Sequence, residues 1–176
     1  TNQTSMADHD FDLVIIGGGS GGSGAAKRAA GYGAKVCIID RGVQRDEAGR
    51  RIGSGIGGTC VNVGCVPKKI MWFAAYHKEL IQGATATAQN FCITGINEDN
   101  IQFNWADMKA KRDAEVARLN GVYERGWKKA GCTVLTGFAT LSGPNTVDVV
   151  HHDGKRRTVT GKHILIAVDG HAEDAR

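Results

Sequence analysis

Cys60 and Cys65 are the residues of this chain whose type and spacing could do chemistry. They lie in the run Gly57-Gly58-Thr59-Cys60-Val61-Asn62-Val63-Gly64-Cys65-Val66-Pro67-Lys68-Lys69. Two thiols within reach of each other can cycle between dithiol and disulfide, exchanging two electrons. The spacing is awkward for a structural pair. Positions five apart in a regular α-helix differ by about 7.5 Å in rise and roughly 140° in direction, whereas a disulfide needs its Cα atoms within roughly 4.4–6.8 Å. The pair therefore closes only where the turn is distorted. Gly64 permits unusual backbone angles, and Pro67 removes the N–H that would bond back to residue 63. A disulfide held in a bent helix start is a candidate for a reversible one. A helix start, with Lys68 and Lys69 close by, favours the thiolate.

Three other readings stand beside this one. Zinc normally takes four ligands, and no second C-x-x-C or His pair lies near; His151-His152 falls far along the chain. Two buried, unpaired cysteines are the common intracellular case, although the polar, glycine-bearing context speaks against it. A Cys-His hydrolase would use a single cysteine.

The elements that must position this run begin with Phe11–Ile16, a short apolar stretch suited to a buried parallel strand. It ends in a G-x-G-x-x-G turn at Gly17, Gly19 and Gly22, followed by the small, alanine-rich helix Ser23–Ala30. Lys35–Asp40 is a second buried strand with an acid at its end. Such a β-α-β unit binds a dinucleotide: the glycines make the tight turn, the pyrophosphate meets the helix N-terminus, and Asp40 can accept from a ribose hydroxyl. The motif alone does not choose between FAD and NAD.

Arg41–Ile56 reads as a surface loop and Lys69–Gln82 as an amphipathic helix, while Gly83–Asn100 shows little periodicity and is expected to be irregular. Asn104 is placed to cap a long helix over Trp105–Ala130, with Met108, Val116, Leu119 and Tyr123 on its apolar stripe and Gly131 as its stop. Strands follow at Thr133–Ala139, at Thr146–Val150 and Arg156–Thr160 (a hairpin about His152-Asp153-Gly154), and at His163–Val168. The expected class is α/β: a Rossmann-like, doubly wound parallel sheet with an inserted antiparallel meander.

At 176 residues, 41% hydrophobic and 23% charged, the chain is an ordinary globular composition able to bury one sizeable core. Its net charge of +4 is spread out, without the basic stripe that nucleic-acid binding needs. No apolar run approaches the roughly 20 residues of a membrane span. Thr1–Asp10 is polar, is expected to be disordered, and lacks a signal peptide's apolar core; Met6 reads as a possible start. Five cysteines, three of them isolated, fit a reducing compartment with one special pair. The expected location is cytoplasmic, with a mitochondrial or plastid form left open.

The cysteine run resembles the redox signature of the FAD-dependent pyridine nucleotide–disulfide oxidoreductases, and the resemblance extends from about Phe11 to Ala167. Pro67-Lys68-Lys69 is similar to the glutathione, trypanothione and large thioredoxin reductases of that family. Met71-Trp72, Asn104-Trp105, Lys111–Ala114 and Arg118-Leu119-Asn120 look most like the glutathione reductases. The resemblance implies an FAD-binding domain over 11–167 that serves NADPH-dependent reduction of glutathione disulfide in a homodimeric enzyme. Gly17, Gly19, Ser20, Gly21 and Gly22 would lie at the pyrophosphate turn and Asp40 at the adenosine ribose. Gly58, Thr59 and Cys60 would border the flavin, Lys68 would lie near its N5, and Ala139 would meet the adenine. Cys65 would be the sulfur beside the flavin and Cys60 the one that attacks glutathione disulfide. Ser20, Lys27 and Tyr123 would contact glutathione, although Tyr123 also fits the core stripe of its helix. A thioredoxin reductase-type flavoenzyme and a non-catalytic flavin-binding fragment are the alternatives.

The chain departs from that family after Ala167. Val168-Asp169-Gly170 stands where the family continues Thr-Gly-Gly, and 168–176 reads as a divergent polar tail. No G-x-G-x-x-G follows the cysteine run in these 176 residues, so the NADPH domain and the interface domain bearing the family's His-Glu pair are expected to be absent from this chain. A truncated, alternatively spliced or fragmentary product, inactive alone, is the expectation.

Overall fold

The computed structural model describes residues 8–45, 51–52, 55–93, 95 and 102–168. The Thr1–Ser5 stretch, most of the polar tail and the Asp169 position lie outside the described residues. In chain order the elements are β1 (Phe11–Ile16), α1 (Ser20–Gly31), β2 (Val36–Asp40), β3 (Gln44–Arg45), β4 (Arg51–Ile52), α2 (Gly58–Asn62), α3 (Cys65–Ala88), α4 (Trp105–Lys129), β5 (Thr133–Thr136), β6 (Phe138–Gly143), β7 (Thr146–Val150) and β8 (Arg156–Ile166).

Six strands form one sheet in the order β5-β2-β1-β8-β7-β6. Strands β5, β2, β1 and β8 run parallel, whereas β8, β7 and β6 are antiparallel. The α/β class with a mostly parallel sheet is therefore as the periodicity predicts. The apolar runs of β1 and β2 explain their central place: Val14, Ile15 and all of Val36–Asp40 are buried, as strands covered on both faces must be.

The coverings of the two faces differ in kind. Ile15, Val36 and Ile38 pack with Ala26 of α1 and Trp127 of α4. On the other face Val14, Cys37, Ile39 and Leu135 pack with Val147, Val149 and Val159 of the meander. The meander thus serves as the second outer layer.

The two strands expected at Arg156–Thr160 and His163–Val168 are one continuous strand, β8. Residues 156–160 pair with β7 and residues 161–166 pair with β1. Gly161 sits at the changeover, where a Cβ would lie 2.7 Å from Val14 Cγ2. The single strand expected at Thr133–Ala139 is instead divided into β5 and β6 by Gly137, whose φ is +155°. A Cβ there would come 2.4 Å from the carbonyl oxygen of Val150, so only glycine fits the corner.

The helix expected to end at Gln82 continues to Ala88. The alternating alanines after Gly83 are good helix formers, and the Thr87 hydroxyl donates to the Gly83 carbonyl at 2.8 Å. Helix α4 starts as its cap predicts, with Asn104 Oδ1 accepting from the N–H groups of Ala106 and Asp107 at 3.0 and 3.1 Å.

Candidate redox and dinucleotide site

Cys60 and Cys65 form a disulfide with Cα atoms 4.6 Å apart. The distortion this requires is a complete break. Cys60 lies in α2, Val63 leaves the helical region at φ −137°, and Cys65 opens α3. Gly64 has no positive φ; its role is close approach. A Cβ on it would lie 3.1 Å from Thr59 O and 3.2 Å from Cys60 Cα, close enough that the two helix ends would have to yield by a few tenths of an ångström. Pro67 falls in the first turn of α3, where its missing N–H leaves no bond unmade.

The entry to α2 is equally tight. Gly57 and Gly58 take φ of +100° and +79°. A Cβ on Gly58 would sit 2.6 Å from Gly19 Cα, so the redox helix and the glycine turn touch backbone to backbone. Asp40 is 5% exposed. Its carboxylate accepts from Gly42 N–H at 3.0 Å and from Gly57 N–H at 3.3 Å, joining the end of β2 to the lead-in of α2.

The glycine turn itself is sterically exclusive. Gly17 has φ +105°, and a Cβ there would lie 2.4 Å from the Ala167 carbonyl oxygen. A Cβ on Gly22 would collide with Gly17 O at 1.9 Å, which lets α1 start hard against β1. Gly19 caps α1 without a side-chain bond, leaving first-turn N–H groups directed at the space beyond.

That space is a cleft of about 960 Å³, at the upper end of the size usual for ligand sites. Gly17, Gly19, Ser20, Gly21, Asp40, Gly58, Thr59, Cys60, Cys65 and Ala139 all line it. The cleft thus joins the glycine turn to the disulfide. Four of the expected residues stand outside its lining. Gly22 acts behind the turn. Lys68 is exposed on the first turn of α3, three residues from Cys65 and so on the same helix face. Lys27 is exposed on α1 beside Gly126, and Tyr123 packs on Gly57 and edge-on to Trp127 at 6.1 Å.

Residues that motif reading missed also face the cleft, among them Arg41, Val63, Phe138 and Val168. Arg41 lies over the Phe138 ring at 4.7 Å. The adjacency of Arg41 to Asp40 was a signal, but its partner lies 97 positions away, beyond any local pattern.

The remaining cysteines do not share the site. Burial pushes the Cys37 thiol up to about 12 and the Cys132 thiol upward as well, so both stay protonated and inert. Among the described residues there is no cluster of three or more potential metal ligands, and no helix is long and apolar enough to cross a membrane.

Comparison with known proteins decides the family. A family model described as pyridine nucleotide-disulphide oxidoreductase matches residues 11–175. The chain belongs to that family. Among curated proteins, the chain is 44% identical over 163 residues to a glutathione reductase of Schizosaccharomyces pombe, covering 92% of the chain and 31% of the relative. It is 41% identical over 168 residues to a glutathione reductase of Yarrowia lipolytica, covering 91% and 32%. A third glutathione reductase, of Debaryomyces hansenii, is 41% identical over 148 residues, covering 80% and 26%. The chain thus spans about a third of the length of these relatives.

Proposed function

We propose that residues 11–167 are the flavin-binding, disulfide-bearing part of an NADPH-dependent glutathione-disulfide reductase. The observation that carries this reading is the position of the Cys60–Cys65 disulfide in the wall of the same cleft as the glycine turn and Asp40. A Rossmann turn with a disulfide in the same cleft suits a dinucleotide whose redox ring must reach the sulfurs. FAD would fit this lining: Ser20 and Gly21 N–H groups would face its pyrophosphate, Asp40 retains lone pairs for a ribose hydroxyl, and Ala139 would border the adenine. When bound, FAD supplies the disulfide with two electrons drawn from NADPH.

This chain's own residues then manage sulfur chemistry. Reduction breaks the Cys60–Cys65 bond and leaves two thiols, which the α3 N-terminus and Lys68, on the face of Cys65, bias toward thiolate. The Cys60 thiolate attacks one sulfur of glutathione disulfide and expels one glutathione thiolate. Cys65 then attacks the Cys60 sulfur of the mixed disulfide, expels the second glutathione and restores the original bond. Ser20, Lys27 and Tyr123 are the glutathione contacts of this reading. Lys27 lies beside Gly126 of α4, and Tyr123 of the same helix packs on Gly57.

A homodimer is the expected assembly, supported by the exposed Trp72, Phe73, Tyr76 and Leu80 on α3. Free Cys37, Cys92 and Cys132 beside one disulfide suit a reducing, cytoplasmic setting. The purified chain is expected to take up FAD, read as visible flavin absorbance retained through gel filtration. In the longer enzyme, Cys60→Ser is expected to abolish thiol release from glutathione disulfide while bleaching of the flavin absorbance by NADPH persists. Absence of any flavin uptake, or turnover retained in Cys60→Ser, overturns the reading.

A further inference from the structure

Helix α2 is five residues long, too short to hold itself, yet it carries one of the two reacting sulfurs. In the oxidised chain the covalent bond fixes it. Once that bond opens, some other contact must keep Cys60 within reach of Cys65.

The structure offers a pair of side-chain amides for this. Asn62, the last residue of α2, donates through Nδ2 to the carbonyls of Gly55 at 2.8 Å, Ile56 at 3.3 Å and Gly58 at 2.7 Å. Asn120 of α4 is buried, and its Nδ2 donates to Asn62 Oδ1 at 3.0 Å and to the same Ile56 carbonyl. Together they tie both ends of α2 to a 25-residue helix that is anchored elsewhere by the fully buried Trp127, whose Nε1 donates to Ser23 Oγ at 2.8 Å. None of these bonds involves a sulfur, so none is lost on reduction.

We propose that Asn62 and Asn120 are positioning residues that hold the reduced Cys60 thiol beside Cys65 and thereby set the reduction potential of the pair. The dithiol–disulfide balance depends on the effective concentration of one thiol at the other. With the amide pair present, the reduced form gains little freedom when the bond breaks. Without it, α2 loosens in the reduced form alone, because the covalent bond still restrains the oxidised one. Loss of the pair therefore favours the dithiol. A merely structural contact would weaken both forms alike and leave the balance unmoved.

The inference rests on the redox role of Cys60–Cys65 proposed above, and the test separates the two. The full-length flavoprotein is equilibrated with mixtures of dithiothreitol and its cyclic disulfide. Two electrons and two protons pass from the dithiol reagent to the protein disulfide. The reduced fraction is read by acid quenching, alkylation and mass spectrometry of the Cys60 and Cys65 peptides. Asn120→Asp keeps the shape of the side chain but removes both N–H donors, and Asn62→Ser removes the three-carbonyl clasp. Each is expected to lower the equilibrium constant for disulfide closure about tenfold, a rise in potential of about 30 mV. Lys128→Ala, on the exposed side of α4, is expected to leave it unchanged. Folding of each variant is checked by thermal unfolding in the oxidised form; should Asn120→Asp fail to fold, Asn62→Ser decides. Constants within twofold of the unaltered protein in the folded variants overturn the proposal. A pair that cannot be reduced reversibly in any of them overturns the proposed function instead.

Discussion

Gly22 shows how much of this site is made by atoms that are missing. It does not face the cleft, yet a Cβ at this position would lie 1.9 Å from the Gly17 carbonyl oxygen. Because the clashing atom is backbone, relief requires moving the start of α1 away from β1 or reshaping the turn. Gly22→Ala is therefore expected to cost about 1–3 kcal/mol of stability, the usual range for overpacking. It should also lower flavin content, since the same shift withdraws the first-turn N–H groups of α1. Chemical denaturation and the flavin-to-protein absorbance ratio measure the two effects. Ser20, at the cleft, has the contrary profile: its Cβ is already tolerated, so changes there act on binding rather than folding.

At the scale of elements, α4 is the piece on which the site leans. Its cap is exposed and simple, so Asn104→Ala is expected to lower stability by about 1 kcal/mol in denaturant melts without altering the site. Much of this element was legible in the sequence, and so was the β1–turn–α1–β2 unit, because periodicity, caps and glycine spacing are local signals. Asn120 and Trp127 were not. With Val116 they form the buried side of α4, but a stripe scored by apolarity passes over an asparagine. The burial of Asn120 becomes intelligible through its carbonyl and amide partners, 64 and 58 positions earlier. The split of Cys60 and Cys65 between two helices was legible as a required distortion. Its means, the close approach at Gly64, was not, since sequence shows that a glycine is present but not what it lies against. The continuity of β8 likewise escaped because Gly161 and the polar Lys162 interrupt the strand pattern at the point where the strand passes between layers.

At the scale of the whole molecule, the edge of the described chain is pinned by Asp10. Its Oδ2 accepts from the Thr160 N–H at 2.8 Å and the Thr160 hydroxyl at 2.9 Å, and these bonds hold its carboxyl below the usual carboxylate range. A carboxyl depressed in the folded state contributes stability above its ordinary titration range and loses it as pH falls through the folded-state value. Asp10→Asn is thus expected to reduce the loss of stability between neutral and acid pH. The comparison of denaturation midpoints at the two pH values isolates Asp10 from Asp12 and Asp148, which are depressed in the same direction. The bond also marks a larger fact, that β1 closes against β8. Leu13 pairs with His163 and Ile16 with Ile166, and Ala167 N–H donates to the Ile16 carbonyl. On the ribosome, β1 gains β2 soon after it is made but waits for its second neighbour, β8, until about 150 further residues have emerged. Through that interval Val14 and Ile15 have no finished core to enter, and folding by non-local pairing is slow for the same reason. The domain's vulnerable moment thus falls during translation, when β1 is exposed to chaperones and to other nascent chains.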